Sequence, residues 1–294
     1  GGGGPGPRRP PASWERSAIP DVPNVRLTNG VEMPILGFGT WPLNDREAER
    51  MVAAALEAGY RLFDTAEEYG NERGVGRAIR SSGLAPGELF VTTKFNRRWH
   101  GVEEVRQAWA NSVERLGLER IDLLLIHWPN PRHDRYVDAW RGMLRLLEDG
   151  VVRAIGVSNF TPAHLRRLID ETGVAPHVNQ IQLNPRLPRT EERRFHEEHG
   201  IVTESWAPIG SGRDLLRDPV IERIARERGR TPAQVVLRWH VQLGLVAIPR
   251  TSNPSRLPEN LDVFEFELTP EDLDGLVTLD RHGAGALDPE RFGH

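Results

Sequence analysis

Hydrophobic positions along the chain switch between two periods. Eight short runs are apolar almost throughout: Ile35–Phe38, Arg61–Phe63, Leu89–Thr93, Ile121–Ile126, Ala154–Val157, Val178–Ile181, Ile201–Glu204 and Leu245–Ile248. A strand with one wet face alternates apolar and polar residues. Runs that do not alternate read as strands covered on both faces, as in a parallel sheet. Between the runs the period is helical. Ala48, Met51, Val52, Ala55 and Leu56 share a face, with Gly59 where a left-handed C-cap belongs. Val102, Val105, Trp109, Val113 and Leu116 keep that spacing, as do Val137, Trp140, Leu144 and Leu147 before Gly150. Thr161-Pro162, Thr231-Pro232 and Thr269-Pro270 repeat one helix-start device. Threonine caps orphan amides, and proline is tolerated at the first helical position. Thr269-Pro270-Glu271-Asp272 also has the capping-box pattern.

Such alternation fits a closed (β/α)8 barrel or an open doubly wound sheet. Eight units complete a barrel, and no G-x-G-x-x-G follows the first strand, so the barrel is preferred. Ahead of it, Val25–Met33 is two apolar stretches around Asn29-Gly30, a pair that favours a two-residue hairpin turn. The expected fold is α/β: a (β/α)8 TIM barrel with an N-terminal β-hairpin closing the barrel bottom. It forms a single domain over residues 24–294. Residues 1–23 begin with a Gly/Pro-rich stretch that cannot bury a core and is expected to be disordered.

Composition narrows the chemistry. The chain has 294 residues, with Lys+Arg 38 against Asp+Glu 42 and a net charge of -4. No single-sign excess points to nucleic acid or an anionic membrane. Cysteine is absent, which removes thiolate catalysis, iron–sulfur clusters and cysteine-bound zinc. No apolar run approaches a membrane span and no signal peptide is visible, so a cytoplasmic protein is expected. No H-x-H or H-E-x-x-H motif occurs, and no metal is expected.

In a (β/α)8 barrel the active site lies at the C-terminal ends of the strands. Three neighbouring runs end there in Asp64, Lys94 and His127, and Tyr69 follows Asp64 by one short turn. Singly, each has a plain structural reading: a cap, a solvated lysine, a core histidine, a packed ring. Their convergence is what carries information. Asp64 would hold the Lys94 ammonium charged. An ammonium beside a phenol favours phenolate and lowers the Tyr69 pKa from about 10, giving a usable general acid. A neutral His127 can donate a hydrogen bond to a substrate oxygen.

The motifs GYRLFDTAEEYGNE, VTTKF, LLLIHWP, AIGVSNF, VNQIQLNP and IPRTSNPSRLPENL, in that order, resemble those of the aldo-keto reductases. The resemblance runs from about Val25 to Phe292 and is nearest to the bacterial branch that includes 2,5-diketogluconate reductases. It implies that Asp64, Tyr69, Lys94 and His127 form a catalytic tetrad. NADPH would reduce aldehydes and ketones to alcohols, with Tyr69 protonating the carbonyl oxygen. It further implies that Ser158, Asn159 and Gln180 hold the nicotinamide carboxamide and that Trp206 stacks on the ring. Arg250, Thr251 and Arg256 lie in the motif expected to read the 2′-phosphate of NADPH/NADP+, with Arg250 where many relatives carry lysine. Glu259 and Asn260 match positions near the adenine. Gly210, Ser211, Gly212 and Leu215 resemble the segment that folds over the pyrophosphate.

Trp41 and Trp128 are expected to wall the substrate pocket. Asn96 stands where many relatives carry tryptophan and would make that wall more polar. The stretch after Arg281 is short, which within the resemblance favours small carbonyl substrates. A monomer is expected. The alternative is a catalytically weak NADPH-binding regulatory subunit of the same fold, against which the intact tetrad argues.

Overall fold

The structure, a computed structural model, describes residues 21–294. The segment expected to be disordered, residues 1–23, lies almost wholly outside the described residues. The chain begins with an antiparallel hairpin of β1 (Asn24–Arg26) and β2 (Glu32–Pro34), paired Arg26 to Glu32. Its turn corrects the two-residue expectation. Leu27 N donates to Val31 O at 2.9 Å and Gly30 N to Leu27 O at 2.9 Å, so Thr28, Asn29 and Gly30 form a three-residue loop. Only Gly30 is left-handed, at φ 87. The added residue aims Asn29 Nδ2 at Arg153 O, 2.9 Å away, and so ties the hairpin to the barrel.

Eight parallel strands follow in sequential order: β3 (Phe38–Gly39), β4 (Leu62–Asp64), β5 (Phe90–Phe95), β6 (Ile121–Ile126), β7 (Val152–Ser158), β8 (Val178–Gln182), β9 (Val202–Trp206) and β10 (Val246–Ala247). All eight predicted runs are represented. The sheet closes on itself where Gly37 N donates to Ala247 O, Ala247 N to Ile35 O and Gly39 N to Pro249 O, at 2.9, 3.0 and 3.1 Å. The first predicted strand is therefore shared: Ile35–Gly37 seals the seam with β10, and Phe38–Gly39 pairs with β4. Two glycines make the seam possible. A Cβ at Gly37 would lie 2.4 Å from Leu62 Cγ, and one at Gly39 would lie 2.8 Å from Ile248 O.

Ten helices of the described residues surround the sheet: α1 (Asp45–Ala58), α2 (Glu72–Ser81), α3 (Glu104–Leu116), α4 (Tyr136–Glu148), α5 (Pro162–Thr172), α6 (Thr190–Glu198), α7 (Pro219–Arg228), α8 (Pro232–Gln242), α9 (Arg256–Leu261) and α10 (Pro270–Val277). The three Thr-Pro starts behave as read: Thr161, Thr231 and Thr269 each accept from the amide three residues on. Thr269 and Asp272 complete a reciprocal capping box. On α4 the buried stripe is Val137, Trp140, Met143 and Leu146, while Leu144 and Leu147 are half-buried. The helix is flanked by α3 and α5 as well as by the sheet, so its covered face is wider than one periodic stripe.

Inside the barrel, Leu62, Phe90, Val178 and Val246 sit at the strand starts and pack with Leu27 and Met33 of the hairpin. The hairpin is thus a plug for the bottom, and the apolar fill is concentrated in the lower and middle layers. The layer above it is polar, holding Asp64, Lys94, Gln180 and Glu204, all buried. A group of ionisable and amide side chains in a barrel interior is costly unless mutually satisfied, and it marks the end of the barrel that does chemistry.

Candidate active site

The strand β4 ends at Asp64. The chain then makes one 3-10 turn, Glu67–Tyr69, closed by Gly70 at φ 65. Asn71 holds this turn: its Oδ1 accepts from Thr65 Oγ1 at 2.5 Å, and its Nδ2 donates to Leu43 O at 3.0 Å. The turn brings Tyr69 back over the barrel mouth. Register pairs Asp64 with Thr92 and Lys94 with Leu125, so Lys94 stands two residues above Asp64 on the next strand.

Lys94 Nζ has three protons and finds three acceptors: Asp64 Oδ1 at 2.6 Å, Tyr69 Oη at 3.0 Å and Thr65 O at 3.2 Å. Burial opposes its charge, but Asp64 and Tyr69 outweigh burial and hold its pKa above the ordinary lysine value. The expectation for Tyr69 needs correction. Burial of its hydroxyl end raises the phenol pKa, and Lys94 pulls down as expected without prevailing, partly because Asp64 and Glu204 push the other way. The net shift is upward from 10, so Tyr69 keeps its proton at neutral pH. That is the state a proton donor needs. His127 is buried with its ring 5.8 Å from that of Tyr69, edge to face. Burial, then Lys94 and His294, hold its pKa well below 6.5, so the imidazole is neutral.

Asp64, Tyr69 and His127 open into a cavity of about 390 Å³ that Ser158, Asn159, Gln180, Trp206, Ser211 and Arg250 also line, with Lys94 beneath them. Trp206 Nε1 donates to Asn159 Oδ1 at 2.8 Å, and Asn159 Nδ2 donates to His127 O and to Ser158 Oγ, each at 3.1 Å. Asn159 takes φ 63, a left-handed conformation that asparagine tolerates and that turns its amide across the strand ends. Gln180 Nε2 donates to Asp64 Oδ2 at 2.7 Å and to Glu204 Oε1 at 3.0 Å. Its Oε1 has no hydrogen-bond donor among the described residues.

The remaining expected residues spread outward. Gly210 is left-handed at φ 84 beside Ser211, whereas Leu215 is buried in the core against Ile181 and Leu183. Arg250 lies over the Trp41 ring, 5.3 Å from its centre, and Trp41 is 54% exposed at the rim. Thr251 Oγ1 accepts from Asn253 N at 3.0 Å and shapes the loop into α9. Arg256 opens α9, Glu259 O accepts from Gln234 Nε2, and Asn260 is buried. Neither Arg250 nor Arg256 has an acidic partner among the described residues.

Trp128 lines the cavity, but Asn96 does not. Asn96 Nδ2 is turned to Glu68 Oε2 at 2.5 Å and its backbone N–H to Glu67 Oε1. Sequence reasoning missed the residues that complete the wall. Phe292 packs 4.7 Å from Trp128, His294 lies 5.4 Å from His127, and Leu287 borders the opening. The carbonyl of His294 is held by Arg97 N at 2.8 Å and Asn130 Nδ2 at 3.2 Å. No periodicity announces this segment. Glu204 was also missed, although an acid inside a strand covered on both faces was a readable signal.

A model of the aldo/keto reductase family matches residues 35–281 of the chain. A 2,5-diketo-D-gluconic acid reductase B from Corynebacterium sp. (strain SHS752001) is 47% identical over 272 residues, covering 92% of this chain and 98% of that protein. The crystal structure of an aldo/keto reductase from Brucella melitensis superposes with a TM-score of 0.86 at 45% identity, over 88% of this chain and 100% of that one. A mutant of Gox0644 solved in complex with NADPH gives a TM-score of 0.89 at 42% identity, over 94% and 100% of the two chains.

Proposed function

Because the chain belongs to the aldo/keto reductase family, we propose that it reduces small aldehydes and ketones to alcohols with NADPH, using Tyr69 as the proton donor. The observation that carries this reading is the threefold anchoring of Lys94. Its ammonium is fixed between Asp64 and Tyr69, so the phenol proton is aimed into the cavity and the phenolate left after transfer faces a positive charge.

NADPH, when bound, supplies the hydride that adds to the carbonyl carbon. The donor set suits its nicotinamide end. Gln180 Oε1 and the second lone pair of Asn159 Oδ1 are acceptors, matching the two N–H groups of a carboxamide. Trp206 offers a ring, tethered through Asn159, on which a planar heterocycle can stack. At the other end Arg250 and Arg256, which have no acidic partner among the described residues, suit a 2′-phosphate. Thr251, Glu259 and Asn260 support that end, and Gly210 and Ser211 lie on the way to the pyrophosphate. Leu215 acts from beneath by packing.

Neutral His127 donates to the carbonyl oxygen and orients it toward Tyr69. Tyr69 then gives its proton to that oxygen, and solvent restores it. Trp41, Trp128, Phe292 and Leu287 give the substrate end an apolar, aromatic wall, which favours aromatic and aliphatic carbonyls. The experiment is NADPH titration by quenching of tryptophan fluorescence, followed in the same sample by aromatic aldehydes, glyoxals and keto-sugars. Binding with turnover supports the reading. Binding without turnover of any carbonyl would favour a regulatory role, and absence of binding would remove the cofactor from it.

A further inference from the structure

Of the four polar side chains that fill the upper barrel layer, three belong to the site as described and Glu204 does not. Alternation along β9 sends it inward. Thr203 points outward to His196 of α6 at 2.7 Å, and Ser205 outward to His240 of α8 at 3.1 Å. Glu204 between them is fully buried. Its Oε1 receives one bond, from Gln180 Nε2 at 3.0 Å, and its Oε2 has no partner. The same Gln180 nitrogen bonds Asp64 at 2.7 Å. One amide thus serves two carboxyl groups, and Asp64 is committed to Lys94. A second carboxylate with a single hydrogen bond would be poorly stabilised there. Burial, then the charge of Asp64, push the Glu204 carboxyl up to about 8, against smaller pulls from Gln180 and Lys94.

We propose that Glu204 is a positioning residue for the nicotinamide. It holds Gln180 with its carbonyl toward the cavity, and it gives up its proton when the oxidised, positively charged ring binds above Gln180. The inference rests on the NADPH reading. The reduced ring is neutral and the oxidised ring is a cation, so only NADP+ gains from an anion one side chain away. The step is a proton loss to solvent coupled to NADP+ binding, with no other bond changed.

The groups facing Glu204 are few. Strand β4 contributes Asp64, β5 contributes Lys94 with Tyr69 beyond it, β8 contributes the uncharged Gln180, and β10 pairs the apolar Val246 beside it. Asp64 and Lys94 are locked as an ion pair, and Tyr69 is held protonated. Glu204 is the member of this layer poised to titrate at mildly alkaline pH.

The test is the ratio of NADP+ to NADPH dissociation constants, measured by fluorescence from about pH 6.5 to about pH 9.5. The 2′-phosphate is common to both cofactors and cancels in the ratio. In the wild type, NADP+ should tighten about tenfold relative to NADPH as pH rises. In Glu204→Gln, which stays neutral and keeps an oxygen for Gln180, the ratio should be flat. A pH dependence that persists in Glu204→Gln overturns the proposal, as does a flat ratio in the wild type. Failure of the wild type to bind either cofactor overturns the NADPH reading instead. A second measurement needs no variant. Mixing NADP+ with wild-type protein in weak buffer at about pH 7.5 should release a proton to an indicator dye, and NADPH should not. Equal release with both cofactors also overturns the proposal.

Discussion

Lys94 Nζ and Asp64 Oδ1 lie 2.6 Å apart on neighbouring strands, with both side chains sealed from solvent. A buried ion pair is a poor source of net stability, because removing two charges from water costs about what their attraction returns. Its presence here is explained by Tyr69, which shares the same ammonium. Lys94→Met should therefore do two separable things. It leaves the Asp64 carboxylate buried and unpaired, which should cost about 3–5 kcal/mol in urea denaturation. It also removes the charge that would steady a phenolate. Adding Asp64→Asn should restore much of the stability and none of the turnover. Joint recovery of both would mean the pair is structural.

Tyr69→Phe keeps the ring and removes the proton. Turnover of small aldehydes should fall by about 10²–10⁴-fold, while the NADPH dissociation constant changes little. Turnover within a few-fold of wild type would reassign the proton donor.

Much of this was legible because the signals are local. Apolar runs without alternation, Thr-Pro starts and Gly59 each fix a strand or helix through nearest neighbours in sequence. The convergence of Asp64, Lys94 and His127 followed from knowing which strand ends meet. The misreadings concern long-range balance. Asn29-Gly30 takes a longer loop because Asn29 finds Arg153, 124 residues away. The Tyr69 pKa depends on how deeply its hydroxyl is enclosed, which charges on paper do not reveal. Asn96 leaves the pocket for Glu68, and Phe292 enters it from an aperiodic segment.

Arg256→Ala should separate the two cofactors. A guanidinium with no acidic partner among the described residues can give its charge to a 2′-phosphate, a contact NADH cannot make. Charge-assisted hydrogen bonds are worth about 1.5–3 kcal/mol, so NADPH affinity should drop by about 10–100-fold with NADH nearly unchanged. Fluorescence titration with each cofactor reads this directly. Equal weakening of both would place phosphate recognition elsewhere.

Stability should peak on the mildly acidic side and fall in both directions. Glu204 has a folded pKa of about 8 against 4.5 for the free side chain, so between these values the folded state binds the extra proton. Stability is then lost as pH rises from 4.5 to 8, by ~5 kcal/mol at most. His196 and His240, buried with pKa values held down to about 4, act in the opposite sense. The unfolded chain takes up their protons below about 6.5, and stability falls as pH drops toward 4. Urea midpoints across pH should show both limbs. Glu204→Gln should flatten the alkaline limb and leave the acid limb unchanged.

Phe292 and Trp128 meet at 4.7 Å between ring centres, joining the final segment of the chain to the loop after β6. The segment is anchored on both sides of that contact: Glu290 Oε1 lies 2.7 Å from His164 Nε2, and the His294 carbonyl is held by Arg97 N and Asn130 Nδ2. Removing the Phe292 ring should therefore open the substrate wall without releasing the segment. Phe292→Ala should raise KM for aromatic aldehydes by about tenfold, the scale of one lost aromatic contact of about 0.5–1.5 kcal/mol together with part of the buried ring area. The NADPH dissociation constant should be unchanged, because the groups proposed for the cofactor lie on β7, β8, β9, α9 and the loops after β7, β9 and β10. A comparable loss for a two-carbon aldehyde, too small to reach the ring, would show that Phe292 supports the fold of the mouth and does not contact substrate.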